Sequence, residues 1–446
     1  MFITRFTKDH KYFMDRFSGK IKILALACLV IGLAIFIRFY NFPSRINFGP
    51  EQAMSLIVTG EYLNEKVTLL GVPSTQRITS EGHIIFSSPF FNYSLMPLEK
   101  FFNYDPIPIT GYFTLLNIFT GLVTFLILSK ISNRRVAFFS LILFIFNEYM
   151  IFHSLFIWIV NYLPLIGILT FYFLWEFKDK NKPKYPLLLG LLSGIAFGLE
   201  YMYFLTAVLV LIVLASFSKN KLRDVLLFLI GFAVANFPII LFDVKHNLYY
   251  LRTFLQYFED TIKNPGQSRL AYYQFLQFWP ILAFLGGLII DLFYSRFAKF
   301  RNICSRLLGY MVIVAFVVLY VIFNLTSKKV SFVNAVGMSA GFNIIKLDVA
   351  ARVISLDCPK DNFNVAMLLD FDSRAHPLRY LLNYRYRLKP KGIEQYSDID
   401  TLYVIASSNY NFGEALAWEV KTFAPFKVHI LKEIDQNYFV YKLVKN

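Results

Sequence analysis

The stretch Arg38-Phe39-Tyr40-Asn41-Phe42-Pro43-Ser44-Arg45-Ile46-Asn47-Phe48-Gly49-Pro50-Glu51-Gln52-Ala53 ends one apolar run and opens a long polar segment. It reads as a membrane span leaving the bilayer through an aromatic cluster, a Pro turn, and a helix that begins with a carboxylate and runs through Tyr62. Aromatic residues favour the membrane interface, and a helix amino terminus favours negative charge. On position alone Glu51 is a partner of the helix dipole as readily as a reactive group.

The remainder of the chain agrees with a span at this place. Of its 446 residues 57% are hydrophobic and 17% charged, against about 45–50% and about 25% in ordinary globular chains. That excludes a disordered chain, a coiled coil and a typical soluble enzyme. About 20 apolar residues cross a bilayer as a helix, and candidate runs lie near 21–40, 111–130, 136–152, 156–175, 185–200, 202–217, 224–243, 276–294 and 305–325. Lys20 and Lys22 before the first run resemble a signal-peptide flank, but bulky residues follow its core where small ones would be cleaved. It is read as a retained span.

Basic residues cluster in alternate connections: Arg5 to Lys22, Lys130 to Arg135, Lys178 to Lys184, Lys219 to Arg223 and Arg296 to Arg306. By the positive-inside rule these are cytoplasmic. The expectation is therefore a mainly α, polytopic protein of about nine transmembrane helices, amino terminus inside and carboxyl terminus outside. The formal charge of +16 is then a topology signal and speaks against a nucleic-acid partner. Cys28, Cys304 and Cys358 are too few and scattered for a disulfide framework.

This topology leaves residues 1–326 as a transmembrane part with external loops 41–110 and 244–275, and 327–446 as a small external α/β domain. In that tail 363–369, 402–406 and 438–443 read as strands, and 413–422 as a short helix.

The quoted stretch resembles the start of the first external loop in GT-C superfamily glycosyltransferases of the protein mannosyltransferase and aminoarabinose transferase kind. There an Arg-aromatic-Tyr-Asn-Leu-Pro exit precedes Asp-Glu-Ala or Asp-Gln-Gly and a helix. Glu51-Gln52-Ala53 stands at that place, with Glu for the usual Asp. Further pieces follow in order: Leu70-Gly71-Val72-Pro73-Ser74-Thr75, Gly82 and Ser88-Pro89-Phe90-Phe91-Asn92-Tyr93; Trp158-Ile159-Val160-Asn161-Tyr162-Leu163-Pro164; and Pro238-Ile239-Ile240-Leu241-Phe242-Asp243-Val244-Lys245-His246-Asn247.

The resemblance implies an enzyme that moves a sugar from a polyprenyl-phosphate donor to a glycan, lipid or protein acceptor, in one inverting displacement outside the cytoplasm. Such chemistry needs a carboxylate to take the acceptor's proton, cations for the leaving phosphate, and access from membrane lipid. Glu51, with Gln52 beside it, matches the catalytic acidic position. Arg77 and Lys245 are the preferred phosphate ligands, with His246 and Asp243 at the outer end of a span as further cavity candidates. Arg45 and Lys66 suit interfacial anchoring, and His83 suits a solvated surface.

Glu148, His153 and Glu200 also fall at outer span ends, where a wet cavity is a cheaper setting for charge than lipid. Some relatives of this kind bind a divalent cation through acidic residues, and Glu51, Glu81 and Asp243 are the groups it would need; their spacing gives no ligand pattern, and no metal is assigned. A flippase for lipid-linked sugars and a noncatalytic family member are the competing readings, the first predicting paired repeats and helices broken near mid-membrane.

Overall fold

The computed structural model describes residues 22–263, 271–339, 341–357, 362–369, 372–414 and 417–446, without the side chains of Thr75 and Gln76. The basic residues Arg5 to Lys20 and Cys358 lie outside them. The chain is mainly helical. Its helices are α1 (Lys22–Phe39), then α2 (Phe42–Arg45), α3 (Pro50–Asn64), α4 (Phe90–Phe101), α5 (Pro106–Ile131), α6 (Arg134–Ile145) and α7 (Glu148–His153). After these come α8 (Leu163–Lys180), α9 (Lys184–Leu199), α10 (Tyr203–Phe217), α11 (Lys221–Ala235), α12 (Phe237–Lys245) and α13 (Tyr249–Lys263). The series ends with α14 (Trp279–Phe297), α15 (Ile303–Leu325), α16 (Ile344–Asp357), α17 (His376–Tyr380) and α18 (Trp418–Phe423). Two strands, β1 (Pro73–Ile78) and β2 (Ile84–Phe86), pair as an antiparallel hairpin.

Among the described residues five helical segments are long and apolar enough to cross a membrane, including α1, α5 and α15, and the bent pair of α11 and α12 makes a sixth if it is one span. The helices α9 and α10 are apolar but shorter. Such a set describes a multi-pass membrane protein, and on α15 residues such as Leu319 and Phe323 are exposed on the surface, where hydrocarbon can cover them.

Two of the expected runs are not single helices. The run 224–243 bends by 73° between α11 and α12. Pro238 in the first turn of α12 has no N–H to continue the ladder of α11, and the Asn236 side chain at the joint instead donates to the carbonyls of Phe232 (2.9 Å) and Gly194 (3.2 Å). The run 136–152 breaks after α6, because Asn147 turns its side-chain oxygen onto the N–H groups of Tyr149 and Met150 and starts α7. Side chains that cap a new first turn end the previous helix.

Close packing joins α9 to α11. A Cβ on Gly190 would stand 2.0 Å from the Phe228 carbonyl oxygen, and one on Gly231 would stand 2.3 Å from that of Leu187. Small residues at such crossings let two membrane helices approach backbone to backbone.

The carboxyl-terminal region contains a four-stranded sheet of β3 (Phe363–Met367), β4 (Thr401–Ser407), β5 (Phe426–Glu433) and β6 (Tyr438–Lys445), in the order β3-β4-β6-β5. The β3–β4 pair is parallel and the other pairs antiparallel. All five residues of β3 and six of the seven of β4 are buried, as expected of strands covered on both faces. Leu402, Val404 and Ala406 face a core with Val420 and Phe423 of α18. Tyr403 and Ile405 face Leu347, Ala351 and Ile354 of α16, in a core that continues through α3 and α4 into α5 and α8. The three expected strands are present; β5 is an additional edge strand with an exposed Ile430.

The sheet region and the segment after α1 are stapled together. Arg45 is buried, not interfacial: Nη1 donates to the carbonyls of Ile37 (2.6 Å) and Tyr40 (2.9 Å), and Nε donates to that of Ser331 (2.5 Å). A guanidinium can satisfy several carbonyls at once, and Arg45 thereby fixes the turn that presents α3. On the other side of α3, the Tyr384 hydroxyl donates to the Ile57 carbonyl (3.0 Å), and Gly60 makes room for its ring, which lies 2.4 Å from where a Cβ would be.

Glu99 of α4 is buried under α17, where the Tyr380 hydroxyl donates to its Oε1 (3.2 Å) and its Oε2 has no partner among the described residues. Burial raises its pKa from 4.5 to about 9, the Tyr380 bond working weakly against that. The folded protein thus keeps a proton that the unfolded chain gives up above pH 4.5. Stability is therefore highest below that value and declines as pH rises towards 9, by on the order of 3 kcal/mol at pH 7. Thermal midpoints across pH 5–9 are expected to fall in the wild type and to fall less steeply in Glu99→Gln; parallel curves would contradict this.

Candidate functional site

The site begins with the cap of α3. Gly49 is the N-cap and Pro50 the first helical residue, where a missing N–H costs nothing. Gln52 is buried and accepts from the Gly49 N–H (3.0 Å), half of a capping box. The preceding Asn47 is tied on both sides, its N–H to the Leu155 carbonyl (3.2 Å) and its amide to the Val336 carbonyl (2.6 Å). Glu51 is the next residue in that first turn, and its side chain opens into a cavity of about 240 Å³. Gln52 does not reach the cavity; its part is to hold the turn that aims Glu51.

A second wall comes from the β1–β2 hairpin. Its base is closed by backbone bonds between Gly71 and Ser87 (2.8 Å) and between Ser87 and Val72 (3.0 Å), and Ser88 donates to the Gly198 carbonyl at the end of α9 (3.0 Å). Gly71 and Gly198 are both needed there, because a Cβ would come within 2.5 Å of Ser87 Oγ and 2.6 Å of Ser88 Cβ. The hairpin delivers Arg77 to the cavity. Its Nη2 donates to both carboxylate oxygens of Glu200 (2.9 and 3.0 Å), and the guanidinium lies 4.9 Å from the Tyr201 ring centroid. Glu200, just past α9, is 3% exposed and Arg77 20%, so this is a mostly desolvated pair.

The electrostatics connect these groups. Burial raises the Glu51 carboxyl pKa and Arg77 lowers it. Burial opposes the Arg77 charge as well, but Glu200 outweighs it and the guanidinium is held more firmly protonated than an ordinary one. Tyr273 completes this group, close enough to feel the charges of Arg77, Glu200 and Glu51 together. The result is a carboxyl of raised proton affinity within reach of a fixed cation.

The third wall is aromatic. Asn161 bonds back to the carbonyls of His153 (3.0 Å) and Phe156 (2.9 Å), closing the turn before α8. That turn holds Trp158 against Tyr273, with ring centroids 4.7 Å apart, and stacked on His153 at 5.4 Å. Trp158 and Tyr273 line the cavity; His153 is buried behind them. The last wall is His376 at the start of α17.

The other sequence candidates lie elsewhere. Asp243 is buried at the end of α12, where its carboxylate accepts from the N–H groups of Tyr250 (2.7 Å) and Leu251 (3.0 Å) and so caps α13. Lys245 and His246 are exposed beside it, with the His246 ring stacked on Phe242 at 4.1 Å. None of the three lines the cavity that holds Glu51 and Arg77. His83 is exposed as expected and lies 3.6 Å from Glu81. Glu148 is bonded to the Ser327 hydroxyl. Among the described residues no three His, Cys, Asp or Glu side chains come together as a metal site; Glu51, Glu81 and Asp243 are dispersed over a cavity wall, a loop and a helix cap, so they do not fit a shared cation.

Glu200, Trp158, Tyr273 and His376 enter the site beside the two expected residues. Trp158 lies in a segment that resembles the Trp-Asn-Pro piece of GT-C enzymes, and Glu200 at a span end. Nothing local in the sequence marks Tyr273 or His376.

No protein-family model and no curated protein sequence matches the chain. Among solved structures, ArnT from Cupriavidus metallidurans in the apo state superimposes with a TM-score of 0.59 at 11% identity, over 94% of this chain and 98% of that one. The same protein bound to undecaprenyl phosphate gives a TM-score of 0.59 over the same shares. The archaeal oligosaccharyltransferase AglB from Archaeoglobus fulgidus, in complex with an inhibitory peptide and a dolichol-phosphate, gives 0.51 at 8% identity over 86% of this chain and 69% of that one. Both are GT-C superfamily membrane glycosyltransferases, and at such identities the likeness is one of architecture: the chain has the fold of the GT-C membrane glycosyltransferases.

Proposed function

We propose that this protein transfers a sugar from a polyprenyl-phosphate donor to an acceptor at the extracytoplasmic face of the cell membrane, with inversion at the sugar carbon. The observation that carries the reading is the meeting of Glu51 and Arg77 in one cavity. A carboxyl whose proton affinity is raised suits a general base, and a cation held by a buried partner suits a departing phosphate. The fold shared with a protein solved with undecaprenyl phosphate supports the lipid-phosphate part of the donor.

In the proposed step the acceptor's hydroxyl or amine attacks the sugar carbon opposite its bond to phosphate. The new bond forms as the carbon–oxygen bond to phosphate breaks, and the lipid phosphate departs with that electron pair. Glu51 takes the acceptor's proton. Glu200 holds Nη2 of Arg77 and Tyr273 stands close beside the guanidinium; the part of the guanidinium that faces the cavity is the part that meets the departing phosphate. Trp158 and Tyr273 offer flat apolar faces to a sugar ring. Residues 1–326 carry this machinery, and 327–446 close the cavity with His376.

The test is transfer of radiolabelled sugar from a panel of undecaprenyl-phosphate sugars to membrane extract by purified wild type beside Glu51→Ala. Label moved by the wild type and not by the variant is the expected result. If no donor releases its label although a thermal shift reports lipid binding, the flippase or noncatalytic reading takes its place.

A further inference from the structure

The cavity has one wall that the proposed chemistry does not use. His376 reaches it from the sheet region, and α17 packs directly on α3, the helix that presents Glu51. The imidazole is 13% exposed. Its Nδ1 lies 2.8 Å from Oδ1 of Asp372, and the other oxygen of that carboxylate accepts the His376 backbone N–H at 2.9 Å. Asp372 is itself buried. A carboxylate that accepts from Nδ1–H fixes both the tautomer and the direction of the ring. Nε2 is then the free end, and among the described residues no protein group bonds to it.

An aspartate that only capped the short helix α17 would need no histidine after it, and a histidine that only packed would need no carboxylate. Together they orient one imidazole on the wall of the mainly apolar cavity that holds Glu51 and Arg77 and has an aromatic side at Trp158 and Tyr273. We infer that the Asp372–His376 pair is a hydroxyl-recognition subsite, in which His376 Nε2 hydrogen-bonds a sugar hydroxyl of the bound ligand. With the Nδ1 proton held by Asp372, Nε2 is an acceptor, and a sugar hydroxyl is a donor that suits it. That hydroxyl belongs either to the donor's sugar or to a glycan acceptor. His376 is a positioning residue of the sheet region, and through it the carboxyl-terminal part of the chain contributes to specificity. This inference rests on the sugar-transfer reading above.

The experiment compares full-length wild type, His376→Phe and His376→Gln in nanodiscs. Each is tested for binding of undecaprenyl phosphate, for binding of the undecaprenyl-phosphate sugars of the donor panel, and for transfer per bound donor. Loss of one neutral hydrogen bond corresponds to about three- to tenfold. If the donor's sugar is the partner, His376→Phe binds undecaprenyl phosphate as the wild type does and the sugar-linked lipid about three- to tenfold more weakly. If the acceptor is the partner, both lipids bind normally and transfer per bound donor falls by the same factor. In either case His376→Gln, which retains a hydrogen-bonding end, recovers part of the loss.

Equal weakening for both lipids in His376→Phe, or no change in any of the three measurements, overturns the subsite. Failure of the wild type to bind either lipid overturns the sugar-transfer reading and this inference with it, so the two failures are distinct.

Discussion

Replacing Glu51 by Gln is expected to lower sugar transfer by about 10²- to 10⁴-fold, the range that a positioned general base contributes. Gln keeps the shape of the side chain and removes only its charge and proton affinity. The turn that holds it depends on Gly49, Pro50 and Gln52, not on the Glu51 carboxylate, so folding and lipid binding are expected to stay as in the wild type. The direction of the Glu51 shift adds a second observable. Its pKa is raised by burial, so the base is protonated at higher pH than an ordinary carboxylate. The wild-type rate should therefore fall on the acid side at a higher pH than an ordinary carboxylate would set, and the residual rate of Glu51→Gln should lack that limb. Single-turnover transfer of label across roughly pH 5–8 measures both. Full activity in Glu51→Gln would remove Glu51 from the mechanism.

How far this site was legible in the sequence depends on the distance over which each part is determined. Glu51 was readable because Gly49-Pro50 fixes a helix start locally and the aromatic exit at Arg38 to Phe42 places it next to a span. The strands β3 and β4 were readable because residues buried on both faces leave short apolar runs, and β6 because its Tyr438-Phe439-Val440-Tyr441 start is rich in aromatic and β-branched residues. The β1–β2 hairpin was not: Pro73-Ser74-Thr75-Gln76-Arg77-Ile78 has no apolar alternation, and the hairpin is held by its own pairing and by the end of α9. Hydropathy also misjudged Arg45. A charge beside a span reads as an anchor at the interface, but Arg45 is buried because the carbonyls of Ile37 and Tyr40 just before it and that of the distant Ser331 converge on it.

The bend after α11 was hidden for a related reason. Apolar composition continues through Asn236 and Pro238, so the run looks unbroken, whereas the change of direction is decided by one missing N–H and one side-chain amide. His376 lies furthest out of reach of sequence reading. Its relation to Glu51 exists only once α17 is packed on α3 across the whole length of the chain.

Arg77 carries the largest expected effect after Glu51, and it acts on two quantities that can be separated. Arg77→Met leaves Glu200 as a carboxylate 3% exposed without its cation. Breaking a buried pair from one side costs about 3–5 kcal/mol, so the variant is expected to unfold at distinctly lower temperature. It also loses the group proposed to hold the departing phosphate, and transfer should drop by about 10²- to 10³-fold, as when one charge-stabilising donor is removed from an active site. The double variant Arg77→Met, Glu200→Gln separates the two, because the neutral amide that replaces the carboxylate leaves no charge stranded. It is expected to recover most of the thermal stability and none of the transfer. Recovery of transfer along with stability would mean that Arg77 serves the fold alone. The same variants bear on Glu51, since Arg77 is the group that lowers its pKa against burial. With Arg77 gone the acid limb of the remaining activity should move to higher pH, whereas an unmoved limb would show that the two residues do not sense each other across the cavity.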